Sequence, residues 1–256
     1  MVVADLHVHT TNSDGSLTLR ELPKAAADGG VDVVGITDHD RLHPELSGPI
    51  VDRDGVTVIH GIELRVESDA GRVDLLGYGA RRTEALSALT DRLQQDRIER
   101  GGEMIDRLEE RLGVSLPIEP RPGIGRPHIA RAVAEATDYS YGGVFEELIG
   151  DEGPCYVPRE VPSFEAGLEV LEAACGVVGL AHPLRYPDPE AALELCASLD
   201  AVEGPYPYGR AVDRSVVDRA IERYDLLLTG GSDAHDDRLG LAGLERAEYR
   251  AFRAAL

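Results

Sequence analysis

At 256 residues with 43% hydrophobic content, the chain has material for one large core, or for a domain carrying an insertion. Its formal net charge is −21, and Lys24 is the single lysine among 26 basic residues. Broad electrostatic binding along a duplex groove is thereby excluded, because phosphates must be neutralised by positive charge. No apolar run approaches the ~20 residues of a membrane span, so no membrane partner is expected.

The chain enters directly into a strand-like segment, without a basic region and apolar leader, and a cytoplasmic protein is expected. Cys155, Cys175 and Cys196 have no paired spacing and read as buried free thiols. The acidity fits either a surface adapted to high salt, where screening relieves carboxylate repulsion, or an ordinary acidic cytosolic protein.

Val2, Val3 and Leu6 predict a short buried strand, with His7 and His9 at its end. Side chains two apart on a strand share a face, so the two imidazoles point the same way, and Asp14 follows five residues on. A helix over 18–28 follows from Leu19, Leu22, Ala25 and Ala26 at helical spacing, ended by Gly29 and Gly30. Residues 31–37 (VDVVGIT) form a β-branched run that reads as a buried parallel strand delivering Asp38, His39 and Asp40. After a turn-rich connection, 56–66 is a strand containing Glu63, and 73–78 the next, carrying Asp74.

From 83 to 112 the pattern changes to one long helix, with Leu86, Leu89, Leu93, Ile98, Ile105, Leu108 and Leu112 between dense charge. A Pro-rich stretch, a helix from 128 to about 136 and an aromatic segment up to Pro158 follow. Residues 83–160 are expected to be a helical insertion into a main domain made of 1–82 and 161–256. Beyond it, strand and helix alternate again: a helix over 165–174, a strand over 177–181 ending in His182, a helix over 190–197. Then come a short strand at 201–203, a helix over 212–224, a strand over 226–229 running into Asp233 and His235, and a terminal helix over 244–256. This order predicts an α/β architecture, most simply a barrel.

His7, His9, His39, Glu63, His182, Asp233 and His235 all fall in or just after predicted strands, whose ends converge on one face of a barrel. Each alone reads as a hydrogen-bonded core or loop residue; together they read as a metal site. The imidazole and carboxylate set, without thiolate, suits Zn²⁺, Mn²⁺ or Fe²⁺. The donors exceed one tetrahedral shell, so two or three ions are expected, with Glu63 bridging. Clustered divalent ions suit phosphoester hydrolysis by metal-activated hydroxide. His43, in a turn, and His60, three residues before Glu63 and so on the opposite face, read as structural.

DLHVHTTNSDGSLT, GITDHD, HGIEL, GLAHP and GSDAH, in that order, resemble the PHP (polymerase and histidinol phosphatase) family of metal-dependent phosphoesterases. The resemblance spans about residues 1–80 and 160–240. It implies a distorted, TIM-like (β/α)7-type barrel. The segment GRPHIAR at 125–131, followed by Tyr156-Val157-Pro158, is similar to the insertion of a subgroup that includes the RNase AM type. Members of that subgroup act on nucleoside 3′,5′-bisphosphates and short oligonucleotides.

By position, the resemblance implies that His7, His9, Glu63 and Asp233 hold a first ion, and Asp14, His39 and His235 a second. Glu63 and His182 would hold a third. Asp74 stands where the family has a further histidine, which predicts a weaker third site leaning toward Mn²⁺. Reaction chemistry would fall to His7, His9, Glu63, Asp233 and His235. Arg126, His128 and Arg159 are the implied contacts to a substrate phosphate, with a surface ion pair the competing reading of Arg126. A small nucleotide or oligonucleotide 5′ end is the expected substrate. Histidinol phosphate is the competing one, and a metal-holding module without turnover the reading of a different class.

Overall fold

The computed structural model describes all residues, Met1 to Leu256. The chain divides into two units, Met1–Ala88 with Val161–Leu256, and Leu89–Glu160.

The first unit is built on a nine-stranded mixed sheet. Strand β1 (Val2–Val8) pairs in parallel with β2 (Val33–Ile36), which pairs in parallel with β4 (Val56–Ser68). Strand β2 is buried along its whole length, which is why it reads as a continuous apolar run. The connection expected to be only turns contains β3 (Ile50–Arg53), an antiparallel partner of β4. Three half-buried residues and the exposed Asp52 carry no clear period, so the sequence does not declare it.

Strand β4 folds back onto β5 (Gly71–Tyr78) as a hairpin, pairing Glu63 with Leu76 and Arg65 with Asp74. Strand β6 (Val177–Leu180) pairs antiparallel with β5, and β7 (Ala201–Glu203) and β8 (Leu227–Thr229) continue in parallel. The terminal segment was expected to be all helix. Its first two residues instead form β9 (Leu244–Glu245), antiparallel to β1.

The segment leaving β8 returns to β1: Leu6 N–H donates to Gly230 O at 3.0 Å, His9 N–H to Ala234 O at 2.9 Å. The sheet thus becomes a nearly closed barrel. This return requires Gly231, since a Cβ there would collide with the His7 backbone.

The helices are α1 (Leu22–Gly29), α2 (Glu84–Leu112), α3 (Arg126–Ala136), α4 (Tyr141–Val144), α5 (Phe164–Glu172), α6 (Pro189–Glu194), α7 (Ser215–Tyr224) and α8 (Arg246–Ala255). Helix α1 starts four residues later than the periodicity suggests, because Thr18 and Glu21 bond to each other as a turn, with Thr18 Oγ1 donating to Glu21 Oε2. Its Gly30 cap takes a φ of 70°, where glycine is strain-free.

Two apolar clusters fill the first unit: Leu17, Leu22, Val34, Ile36 and Val58 around β2, and Leu6, Ile59, Leu76, Tyr78 and Phe252 on the other side of the sheet. The second unit has its own core, with Met104, Leu108, Ile129, Val133, Val144 and Ile149 buried together. There α4, capped by Ser140 Oγ accepting from Gly143 N–H, runs on into a π-helical turn, Phe145–Ile149. The aromatic pattern alone did not reveal that turn.

Candidate metal centre

His7, in β1, and His9, just past its end, are both fully buried. His7 Nε2 lies 3.4 Å from Glu63 Oε1 and 3.5 Å from Asp233 Oδ1; His9 Nε2 lies 3.3 Å from Glu63 Oε2 and 3.0 Å from Asp233 Oδ1. These four side chains form one group able to hold an ion.

A second group joins Asp14, His39 and His235 with His9. Asp14 Oδ1 is 3.3 Å from His235 Nε2 and 3.7 Å from His39 Nε2. The resemblance implies His9 for the first group alone, whereas its ring lies 4.3 Å from those of both His39 and His235. A third group is Glu63, Asp74 and His182, with His182 Nε2 3.0 Å from Glu63 Oε1 and 3.7 Å from Asp74 Oδ2. Glu63 belongs to the first and third groups, and its Oε2 also meets His39 Nδ1 at 2.8 Å.

The donor set fits divalent ions. His7 Nε2, both ring nitrogens of His9, Asp14 Oδ1, Glu63 Oε2 and His182 Nδ1 are buried without a hydrogen bond. Burying polar atoms unsatisfied is costly, and cations bound among them would remove that cost. The donors are nitrogen and carboxylate oxygen without sulfur, which matches Zn²⁺, Mn²⁺ or Fe²⁺.

The electrostatics agree. Burial would raise the Glu63 carboxyl, but His39, His7 and His182 hold it well below the usual range. Against the same opposition, His39, His235 and His9 depress Asp14, and His7 and His9 depress Asp233. Burial, with His39 and His235 beside it, pushes His9 down, toward the neutral imidazole a metal requires. His7 is driven up instead: burial lowers it, but Glu203, Asp233 and Glu63 outweigh burial. A cation bound there would compete with that proton.

Several residues that hold this centre were not picked out from the sequence. Glu203, fully buried at the end of β7, lies 3.1 Å from His7 Nδ1 and accepts from His182 N–H at 2.7 Å. The available signal was its place at a strand end, the same logic that found His182. Asp38 accepts from Thr10 N–H at 2.8 Å and from Ser13 Oγ at 2.7 Å, fixing the loop that carries Asp14. Asp5 accepts from Ser232 N–H and Gly240 N–H, fixing the loop that carries Asp233 and His235.

Tyr206 donates to Asp233 Oδ2 at 2.8 Å, and Arg185 Nη1 donates to the same oxygen at 3.1 Å. Asp233 itself sits at φ 50° and His182 at φ 29°, backbone strain of the kind that collects at functional sites.

A PHP domain family model matches residues 5–135, half of the chain. The chain belongs to the PHP domain family. The match includes the stretches carrying His7, His9, Asp14, His39, Glu63 and Asp74. Among curated relatives, the chain is similar to a phosphoribosyl 1,2-cyclic phosphate 1,2-diphosphodiesterase of Eggerthella lenta. The two are 29% identical over 250 residues, 91% of this chain and 94% of that protein. It is also similar to a 5′-3′ exoribonuclease of Haemophilus influenzae, 28% identical over 71% of this chain and 69% of the relative. A 3′,5′-nucleoside bisphosphate phosphatase of Chromobacterium violaceum is 28% identical over 73% of this chain and 68% of its own.

Among solved structures, a protein of Bifidobacterium adolescentis assigned as a metal-dependent phosphoesterase matches with a TM-score of 0.80 and 25% identity. The match covers 99% of this chain and 96% of that one. This PHP chain is accordingly a metal-dependent phosphoesterase, a hydrolase on a TIM-like barrel. None of its helices is long and apolar enough to cross a membrane.

Arg126, His128 and Arg159 of the PHP chain lie in the second unit. Arg126 Nη1 donates to Asp151 at 2.7 Å and to Ile149 O at 3.3 Å, and its guanidinium lies 5.5 Å from the Tyr156 ring centre. His128 Nδ1 accepts from Gly125 N–H at the first turn of α3. Burial, with Arg159, Arg97 and Arg126 nearby, pushes the Arg100 guanidinium down to about 10. Four arginines therefore crowd together in a chain of net charge −21. Only Arg126 and Arg159 stand out in the sequence, because Arg97 and Arg100 are hidden in the charge pattern of α2.

Proposed function

We propose that this chain hydrolyses phosphate esters of small nucleotides or oligonucleotide 5′ ends. His7, His9, Asp14, His39, Glu63, His182, Asp233 and His235 would hold two or more divalent ions, Mn²⁺, Zn²⁺ or Fe²⁺. The observation that carries this reading is a continuous set of ligand groups sharing Glu63 and His9, with six buried donor atoms lacking hydrogen bonds. Relatives named as an exoribonuclease and a nucleoside bisphosphate phosphatase support the substrate class.

When bound, such ions activate water and stabilise negative charge on phosphoryl oxygens. The chain's own residues arrange that chemistry. Glu203 beside His7 Nδ1 keeps the proton on that nitrogen and leaves Nε2 facing Glu63 and Asp233. Tyr206 and Arg185 engage Asp233 Oδ2, so that Oδ1 faces the imidazoles. Arg185, with about half of its side chain exposed, brings a guanidinium suited to a phosphoryl oxygen to the edge of this group.

Arg126, His128 and Arg159 are proposed for the substrate's phosphate. The crowding of guanidinium groups around Arg100 supports this, and the Arg126–Asp151 ion pair is the competing role. Residues 83–160 would then be the substrate-holding insertion in a barrel of 1–82 and 161–256. A cytoplasmic setting fits three unpaired cysteines.

One observation favours a second substrate. The cyclic phosphodiesterase relative matches nearly the whole of both chains, unlike the other two. A five-membered cyclic phosphate on a ribose therefore belongs in the assay. Phosphate release would be followed with added Mn²⁺ and a chelator control. The panel is adenosine 3′,5′-bisphosphate, AMP, histidinol phosphate, a 5′-phosphorylated oligonucleotide and a ribose 1,2-cyclic phosphate. Chelator-sensitive release from the bisphosphate or the oligonucleotide supports the first reading. Conversion of the cyclic ester alone selects the second, and release from histidinol phosphate alone selects a biosynthetic phosphatase. Metal binding without turnover on any of them returns the chain to a non-catalytic module.

A further inference from the structure

Among the ligand groups, the one containing Asp74 differs from the others. Arg65 follows Glu63 by two residues on β4, so the two side chains leave the strand on the same face. Its cross-strand partner on β5 is Asp74. There Arg65 Nε donates to Asp74 Oδ1 at 2.7 Å and Nη2 to Oδ2 at 2.5 Å, a bidentate pair. Oδ2 is also the Asp74 oxygen turned toward His182 Nε2, at 3.7 Å.

We propose that the Arg65 guanidinium takes the place of a third ion, so that the centre holds two ions and one fixed organic cation. Both oxygens of Asp74 already accept from Arg65, and the charge of this carboxylate is compensated. An ion entering beside Asp74 Oδ2 would face a guanidinium bonded to that same oxygen, at a separation where like charges repel strongly. Its remaining donors would be Glu63, shared with the first group, and His182. By contrast, no arginine is hydrogen-bonded to Asp14 or Glu63, and on Asp233 the arginine takes only Oδ2, away from the Oδ1 that faces His9.

The Tyr186 hydroxyl accepts from the Asp74 backbone N–H at 2.8 Å and helps fix the pair in place. Unlike an ion, a guanidinium is never lost to a chelator.

The inference rests on the metal-centre reading, and metal stoichiometry separates the two. Purified chain is loaded with Mn²⁺ or Zn²⁺, dialysed, and its metal measured by mass spectrometry alongside Arg65→Met and Asp74→Asn. Two ions per chain are expected in the unsubstituted protein, three in Arg65→Met once Asp74 is released, and two in Asp74→Asn, where no ion is lost. Three ions in the unsubstituted chain overturn the proposal while leaving the metal centre intact, as does the loss of an ion in Asp74→Asn. A folded Arg65→Met that stays at two overturns it as well. If Arg65→Met does not fold, the other two measurements decide. Fewer than two ions in the unsubstituted chain would overturn the shared centre itself.

Discussion

Glu203 and His7 are joined at 3.1 Å through the imidazole Nδ1, although 196 residues separate them in the chain. The same carboxylate accepts the backbone N–H of His182 at 2.7 Å, so one buried side chain orients two candidate ligands. Replacing it with glutamine keeps the size but removes the charge that fixes the His7 tautomer. Glu203→Gln is expected to weaken metal binding about 10- to 100-fold, the usual cost of losing such a partner. Competition with a fluorescent chelator measures this, and an affinity equal to the unsubstituted protein's would make Glu203 a core residue only.

Arg126→Ala is expected to raise KM or lower kcat/KM several-fold while metal content stays the same. Steady-state kinetics on the best substrate, with metal analysis of the same samples, checks it. Lost metal, or kinetics unchanged with a lowered melting temperature, would assign Arg126 to its pair with Asp151.

His60 supplies a pH dependence separate from catalysis. It is buried, and burial, with Arg82 and His43 nearby, brings its pKa from 6.5 down to about 4. Below pH 6.5 the unfolded chain therefore takes up a proton that the folded chain refuses. Stability falls as pH drops from 6.5 toward 4, and the full contribution is present above 6.5. Between pH 7 and pH 5 this one group costs ~2 kcal/mol. Urea unfolding of His60→Gln should show a shallower loss over that interval than the unsubstituted chain. Equal slopes would mean that His60 does not titrate differently on folding.

The surface makes a prediction about salt. With 47 acidic against 26 basic residues, carboxylate repulsion should be relieved by screening. Several of the exposed ion pairs, such as Lys24 with Asp28, contribute little to stability and lose little when screened. The melting temperature should rise from dilute buffer to molar KCl. An unchanged or lower value would mean that the surface is not adapted to salt.

The ligand residues were legible because strands deliver them by rule. His7 and His9 are two apart, His39 and His182 follow apolar runs, and Asp233 and His235 follow β8. The long helix α2 was legible because its leucines recur over eight turns. The partners that hold the ligands were less so. Asp38 and Asp5 look like any acidic residue until the fold brings Ser13 and Ser232 to them. The role of Arg65 depends on the hairpin register that sets it opposite Asp74, and register is a tertiary fact. The antiparallel edges β3 and β9 are too short for periodicity to declare them.

Turnover should depend on ions held by these side chains. Asp233 faces both His7 and His9, as Glu63 does, and Asp233→Asn removes its charge at nearly constant size. Phosphate release from adenosine 3′,5′-bisphosphate should be measured for both proteins with Mn²⁺, and again after chelation. The predicted result is release by the unsubstituted chain that stops with chelator, and a loss on the order of 10²-fold or more in Asp233→Asn with its fold retained. Release that survives both the chelator and the substitution would contradict the assignment of this centre to the chemistry.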